Sequence, residues 1–188
     1  DARGDKATFF AFANTVAAQS FRGGCECHGW MGMRFQLHPK AEPSDIILHV
    51  RMLDRYNLQQ QDALGVFGVN LVHGAFHHRD DPRWFIRALA DNLGKERIEV
   101  DMIQFLGAGF EDVDNRILSL TLVQEGMTNA VVFDSDGNVQ QPAEILYKKA
   151  ILMERGSFHP VNNVHLNMLE CARYRFSSEP DVEDGDVL

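Results

Sequence analysis

The sequence has few cysteines and more acidic than basic residues. Only three of its 188 residues are cysteine, at positions 25, 27 and 171, and an odd, small number does not build the disulfide framework of a secreted domain. We therefore expect a reducing compartment, namely the cytoplasm, or the plastid stroma if the source is eukaryotic. The formal net charge is −9. Nucleic acid is excluded as an expected partner, because binding to phosphates needs a positive surface.

Long apolar runs are missing as well. No stretch reaches the roughly 20 apolar residues that cross a bilayer, so we expect no membrane partner. Hydrophobic residues make up 45% and charged residues 24% of the chain, which is typical of a soluble globular domain with a core of its own. We expect one domain over residues 1–176, followed by an acidic, disordered tail over 177–188.

Strand and helix patterns are both present. Met31, Met33 and Phe35 alternate with polar or small residues, as in a half-buried strand. A buried helix is predicted from Asn57 to Phe76, and Asp81 and Pro82 are typical of a helix N-cap and first position. These patterns predict an α/β (or α+β) fold, in which helices flank a mixed sheet.

Two segments of the chain resemble each other. Residues 45–80 and 97–134 both contain a strand pattern followed by a helix pattern, and Asn57, Leu64 and Gly68 align with equivalent residues in the second segment. The alignment predicts an internal strand–helix duplication.

Two groups of side chains are weak candidates for a metal site. Cys25, Cys27 and His28 contain thiol and imidazole ligands, but structural zinc sites usually separate paired cysteines by two to four residues, and no second ligand pair follows. His73 and His77 stand one helical turn apart, yet histidines near a helix C-terminus also interact well with its dipole. We favour no metal, and the sequence assigns no cofactor.

The stretch "VVFDSDGN" imitates the Asp-x-Asp-Gly motif of a phosphotransferase. Asp134 and Asp136 would be the nucleophile and the acid/base, but Asn138 stands where that motif has Thr. Asp at the first position and Gly late in the stretch are also typical of a β-turn. We favour the turn.

The best candidates for catalysis lie on and near one predicted strand. His49 and Arg51 share one face of that strand, because side chains two residues apart point the same way. Asp54 follows its end, His28 lies in the preceding strand region, and Arg155 could bind an anion. Together these five residues form the catalytic hypothesis.

Several motifs resemble an uncharacterised bacterial and plastid protein family. They are, in order, "ECHGWMG", "IILHVRMLD", "QQQDALGVFGVNLVHGAF", "RIEVDMIQF", "VDNRILSLTLVQEGMTNAVVF" and "PAEILYKKAILMERGSFHPV". Members of that family often carry the labels "TonB-dependent receptor" or "nicotinate-nucleotide adenylyltransferase". The chain is too short for the large membrane receptor of the first label, and it lacks the His-x-Gly-His motif of the second. The resemblance implies a longer protein with a further C-terminal region.

The sequence contains no complete catalytic constellation. Our first expectation is therefore a soluble, non-enzymatic binding or assembly module, either by itself or as a segment of a longer protein. Its partner would be another protein, a second copy of the chain or a small-molecule ligand. The alternative is an enzyme that acts on a small phosphorylated or nucleotide-like substrate.

Overall fold

The structure is a computed structural model that describes residues 6–17, 27–180 and 182. The chain divides into two compact units, residues 1–142 and residues 143–188. The first unit contains strands β1 (Phe10–Asn14), β2 (His28–Phe35), β3 (Ser44–Met52), β4 (Ile98–Gly107), β5 (Val132–Phe133) and β6 (Val139–Gln140), and helices α1 (Asn57–His77), α2 (Pro82–Leu89) and α3 (Asn115–Gln124). Helix α4 (Pro142–Leu146) begins at the boundary, and α5 (Asn163–Phe176) belongs to the second unit.

The main sheet has the order β1-β2-β3-β4, and all three pairings are antiparallel. The predicted class, a sheet with flanking helices, is confirmed, although the sheet is antiparallel where a mixed one was expected. The reason lies in the connection from β3 to β4. Helix α2 returns alongside α1, where the Asn70 side chain donates to the Leu89 and Asp91 carbonyls at 3.0 and 2.7 Å. The chain therefore re-enters the sheet at the end where it left.

The sheet has one apolar and one polar face. The apolar face carries Met31, Met33, Phe35, Ile46, Leu48, Val50, Ile98, Val100, Ile103 and Phe105, all at most 2% exposed. Helices α1 and α2 supply the rest of this core through residues such as Phe67, Leu71 and Phe85. Burying one large aliphatic or aromatic side chain contributes roughly 1.5–3 kcal/mol, so this face dominates the stability of the unit.

A bulge in β4 keeps the two faces separate. The register passes from His49↔Met102 to Val50↔Val100, so Asp101 is an extra residue. Such a bulge sets two residues against one. Both Asp101 and Met102 therefore lie opposite His49 on the polar face, and Ile103 and Phe105 return to the apolar face.

Helix α1 begins and ends within one residue of its predicted bounds. It is not buried all round as expected, because Leu58, Val69 and Phe76 are 78%, 69% and 43% exposed. The buried side, which includes Ala63 and Phe67, packs on the sheet. The exposed side of α1 carries these apolar residues together with polar ones such as Gln61 and His73.

Polar caps begin the next two helices. Asp81 accepts hydrogen bonds from the backbone N–H groups of Arg83 and Trp84, and Pro82 occupies the first turn of α2, as predicted. Asp114 accepts from the Arg116 backbone at the start of α3. Each cap satisfies N–H groups that have no partner within the helix.

The second unit is built around α5. Asn162 caps this helix, and the His165 side chain accepts a hydrogen bond from the Asn162 backbone N–H in a capping box. Residues 151–155 have no regular structure, and Met153 is 78% exposed. Most of the predicted acidic tail, residues 181 and 183–188, lies outside the described residues. Among the described helices, none combines the length and apolarity needed to cross a membrane.

The internal duplication stays a prediction. Asn57 and Asn115 do begin α1 and α3, and each helix follows a strand. The helices differ in length, 21 against 10 residues. Gly68 lies inside α1, whereas its counterpart Gly126 lies beyond α3 with φ 69°.

Glu125 joins α2 to the end of α3. The Nε atoms of Arg83 and Arg87 donate to its two carboxylate oxygens at 2.5 and 2.8 Å, and the Lys95 ammonium donates to its backbone carbonyl. The hydrogen bonds from Arg87 and Arg83 lower the pKa of Glu125 from 4.5 to about 2. This carboxylate therefore stabilises the fold in its ionised form.

Replacing Glu125 with Gln should lower the stability of the fold in a pH-dependent way. A carboxyl whose pKa is depressed on folding stabilises above its unfolded pKa and loses that contribution as the pH falls to its folded pKa. We expect the free energy of unfolding of the wild type to exceed that of the variant at neutral pH. The difference should shrink between pH about 4.5 and about 2, as measured by urea unfolding at a series of pH values. Asp80→Asn is the control with little expected effect, since that side chain is 89% exposed. If the difference in the free energy of unfolding between wild type and Glu125→Gln stayed constant with pH, ionised Glu125 would not be the source of the stabilisation.

Candidate functional site

The polar face of the sheet brings three of the five catalytic candidates together. His28 lies in β2, and His49 and Arg51 lie in β3. The register pairs His28 with Arg51 and Trp30 with His49. Because directly opposed side chains in an antiparallel pair are neighbours, the shared strand face predicted for His49 and Arg51 also includes His28.

Two imidazoles and a carboxylate form a continuous hydrogen-bonded chain. His28 Nδ1 lies 2.9 Å from His49 Nε2, and His49 Nδ1 lies 2.6 Å from Asp101 Oδ1. His49 and Asp101 are 2% and 5% exposed, whereas His28 is exposed. We call these three residues the histidine chain. It runs from a buried carboxylate to an imidazole in contact with solvent.

The surroundings of His49 exclude water from the middle of the histidine chain. The Trp30 ring meets the His49 ring edge-on, with centroids 5.1 Å apart. The amide nitrogen of Gln141, which is 4% exposed, lies 3.2 Å from His49 Nδ1. Gln141 directly follows β6, so the β5–β6 hairpin covers the β4 side of the polar face. In such a low-dielectric site the interaction between imidazole and carboxylate is strengthened.

We assign the tautomers from the shorter of the two contacts at His49 Nδ1, the one to Asp101 at 2.6 Å rather than the one to the Gln141 amide at 3.2 Å. An ionised carboxylate only accepts hydrogen bonds, so His49 donates from Nδ1 to Asp101. In the neutral His49 ring, Nε2 is then an acceptor, and His28 donates to it from Nδ1. The remaining nitrogen, His28 Nε2, carries a lone pair. The exposed end of the histidine chain is thus an acceptor nitrogen, linked through His49 to the buried Asp101 carboxylate.

Arg51 adds positive charge beside His28. Its guanidinium donates to Glu99 Oε2 at 3.0 Å, and Thr128 donates to the other carboxylate oxygen of Glu99 at 2.7 Å. The Arg51 side chain is still 40% exposed. Its other N–H groups therefore face the same side of the sheet as His28.

The remaining two candidates are not part of the histidine chain. Asp54 accepts from Arg97 Nε at 2.8 Å, and Arg97 also donates to Asp62 and to the Gln59 carbonyl. Asp54 thereby holds the start of α1 against the residue that precedes β4. Arg155 belongs to the second unit.

The metal candidates do not assemble a site in the described part of the chain. Cys25 lies outside the described residues, and Cys27 is buried, with 7% of its surface exposed. The His73 and His77 rings contact each other at a tilt of 40°, with centroids 4.6 Å apart. No group of three or more His, Cys, Asp or Glu side chains within residues 6–17, 27–180 and 182 has the geometry to hold a metal ion.

A second feature is an open groove of about 860 Å³ between β1 and α1, on the apolar side of the sheet. Phe10 and Phe12 form one wall. The groove is lined by Phe10, Phe12, Asn14, Gln61, Leu64, Gly65, Gly68, Val69, Val72, His73, Phe76 and His77. None of these is Asp, Glu, Lys or Arg. A Cβ atom at Gly65 would meet no atom within 4 Å, so the groove is open above the middle of α1.

No protein-family model, curated protein or solved structure shows significant similarity to the chain. The function is therefore argued from the geometry of the site.

Asp101 and Gln141 are the residues that sequence reasoning missed. The signal for Asp101 was a lone carboxylate within the apolar stretch "VDMI" of β4, since a charge in a buried strand needs a partner. Gln141 gave no such signal, because its position depends on how the β5–β6 hairpin folds over β4. The turn predicted around Asp134 is present: Gly137 N–H donates to the Asp134 carbonyl at 3.0 Å, and Gly137 has φ 84°.

The space around two glycines of α1 leads to opposite predictions for their replacement by alanine. Gly65→Ala should raise the free energy of unfolding by about 1 kcal/mol, the difference in helix propensity between Gly and Ala, because the new methyl meets nothing. Gly74→Ala is the matched control, since its Cβ would lie 3.1 Å from the buried Phe85 ring and should give no such gain. Urea unfolding midpoints measure both variants. Equal stabilisation by the two substitutions would contradict this description of the groove.

Proposed function

We propose that the chain is a binding and assembly module that pairs with a second copy of itself through the groove and strand β1. The observation that carries the proposal is that none of the described residues lining the groove is Asp, Glu, Lys or Arg, in a chain whose residues are 24% charged. Two copies with a net charge of −9 each repel one another. An uncharged surface is therefore where they associate at the lowest electrostatic cost.

The apolar content of the groove supports the same proposal. Phe10, Phe12, Val69 and Phe76 are each more than 40% exposed, and they line a single groove. Contiguous exposed apolar surface of this kind marks an interaction site, whereas isolated exposed residues do not. The twelve described residues that line the groove make up about half of the 20–30 that a standard interface uses on each side.

Strand β1 supports pairing of two identical edges. It is the outermost strand of the sheet. Its pairing with β2 leaves the backbone N–H and C=O groups of Phe10, Phe12 and Asn14 facing away from β2. On that side, no strand of the described chain pairs with them. Unpaired edge groups are a template for another strand. Antiparallel pairing about a two-fold axis at Phe12 sets Phe10 opposite Asn14 of the second copy. All three side chains then lie on the groove side, and the same patch serves both copies, as a two-fold interface requires.

The test is to measure the oligomeric state and its loss in a charged variant. Sedimentation equilibrium and native mass spectrometry of the wild type should give a dimer. Val69→Asp should weaken dimerisation roughly 100-fold or more, because an unpaired charge in an interface costs several kcal/mol and each 1.4 kcal/mol is about tenfold in affinity. Ile117→Asp is the matched control: it introduces the same charge at a side chain that is 64% exposed, on α3, which packs on β4 at the other edge of the sheet.

Three outcomes would contradict the proposal. The wild type could be monomeric, or it could dimerise equally well with Asp at residue 69. A stoichiometric small molecule could also be retained in a monomer, which would make the groove a ligand site.

A further inference from the structure

The histidine chain lies on the opposite face of the sheet from the groove and has no part in self-association. A buried carboxylate with two linked imidazoles is costly to assemble, since buried charges need good partners to offset their loss of hydration. Burial of the core does not require it, because the apolar face is complete without these three residues. The histidine chain therefore needs an explanation of its own.

We propose that His28 Nε2 is a catalytic general base, and that His49 and Asp101 are positioning residues that hold its tautomer and take up its charge. The preferred substrate is a small molecule that carries an acidic O–H or C–H group next to a carboxylate or phosphate. Arg51, the cross-strand neighbour of His28, would bind that anionic group. The half-buried Trp30 ring forms the adjacent wall.

The proton transfer balances within these residues. The substrate X–H bond breaks, its electron pair stays on X, and the proton goes to His28 Nε2. The proton on His28 Nδ1 moves to His49 Nε2, and the neutral His28 ring returns with its proton on Nε2. His49 becomes an imidazolium beside the Asp101 carboxylate, where the opposite charge 2.6 Å away stabilises it. Arg51 stabilises the anion left on the substrate, and the reverse sequence returns the proton.

The geometry matches what a general base needs. The accepting nitrogen is exposed, while the ring is oriented by a hydrogen bond at its other nitrogen. A third group, Asp101, in turn orients the second ring, as in catalytic triads in which a carboxylate fixes the tautomer of a histidine. The histidine chain extends that arrangement by one imidazole, which moves the basic nitrogen from a buried position to the surface.

Site-resolved labelling with diethyl pyrocarbonate tests the proposal without knowledge of the substrate. The probe reacts with an unprotonated imidazole nitrogen: an N–C bond forms at the carbonyl carbon, and the departing ethyl carbonate decomposes to ethanol and carbon dioxide. His38 is the internal control, because it is exposed and its Nδ1 lies 3.2 Å from a carbonyl oxygen, that of Pro39. We expect His28 to be labelled severalfold faster than His38 in the wild type, as followed by peptide mass spectrometry.

Asp101→Asn should bring the labelling rate of His28 down to that of His38 and leave His38 unchanged. A purely structural role for Asp101 would not produce this selective loss. The comparison of the His28 and His38 labelling rates in the wild type remains a test even if the Asp101→Asn variant fails to fold. Equal labelling rates for His28 and His38 in the wild type would overturn the proposal. So would a folded Asp101→Asn variant in which His28 is still labelled as fast as in the wild type.

Inorganic phosphate tests the anion-binding part. It should slow the labelling of His28 in the wild type severalfold, and Arg51→Met should abolish that protection, measured as the ratio of the His28 rates with and without phosphate in each protein. An absence of protection in the wild type, or protection that persists in Arg51→Met, would exclude Arg51 as the group that binds the substrate anion.

Discussion

A single extra residue in β4, opposite the step from His49 to Val50, decides what each face of the sheet carries. With the bulge, Val100 and Ile103 both enter the apolar core, and Asp101 lies beside His49 on the other face. In a regular strand, Ile103 and Phe105 would leave the core and Gln104 would enter it. The cost of burying an amide without partners and exposing two large apolar side chains runs to several kcal/mol. The folded core and the histidine chain therefore depend on the same local irregularity.

The two functions proposed above lie on different faces of the sheet. The groove between β1 and α1 lies on the apolar side at one edge of the sheet, while the histidine chain lies on the polar side at β2, β3 and β4. Association of two copies through β1 would extend the sheet at its edge and leave the polar face of each copy open to a substrate. Self-association and proton transfer are therefore independent hypotheses, and the failure of one leaves the other standing.

The sequence predicted the elements of the fold better than the site. Alternation in β2 identified Met31, Met33 and Phe35 as one face, and Asp81 with Pro82 identified the start of α2, because these signals act within a few residues. The strand and helix patterns led us to expect a mixed sheet. The observed antiparallel order could not be predicted, because the return of α2 along α1 depends on tertiary contacts that no local pattern records. His28 and His49 were both named as candidates. Their partner Asp101 was not, since the pairing of β3 with β4 and the bulge are set by the packing of the whole core.

The measurement that tests the account most directly is the tautomeric state of the two histidines, read from long-range ¹H–¹⁵N correlations of the imidazole rings in the wild-type chain. The account predicts neutral His28 and His49 rings that both carry their proton on Nδ1, since His49 donates to Asp101 and His28 donates to His49. A His28 ring protonated on Nε2, or a His49 ring without a proton on Nδ1, would contradict it.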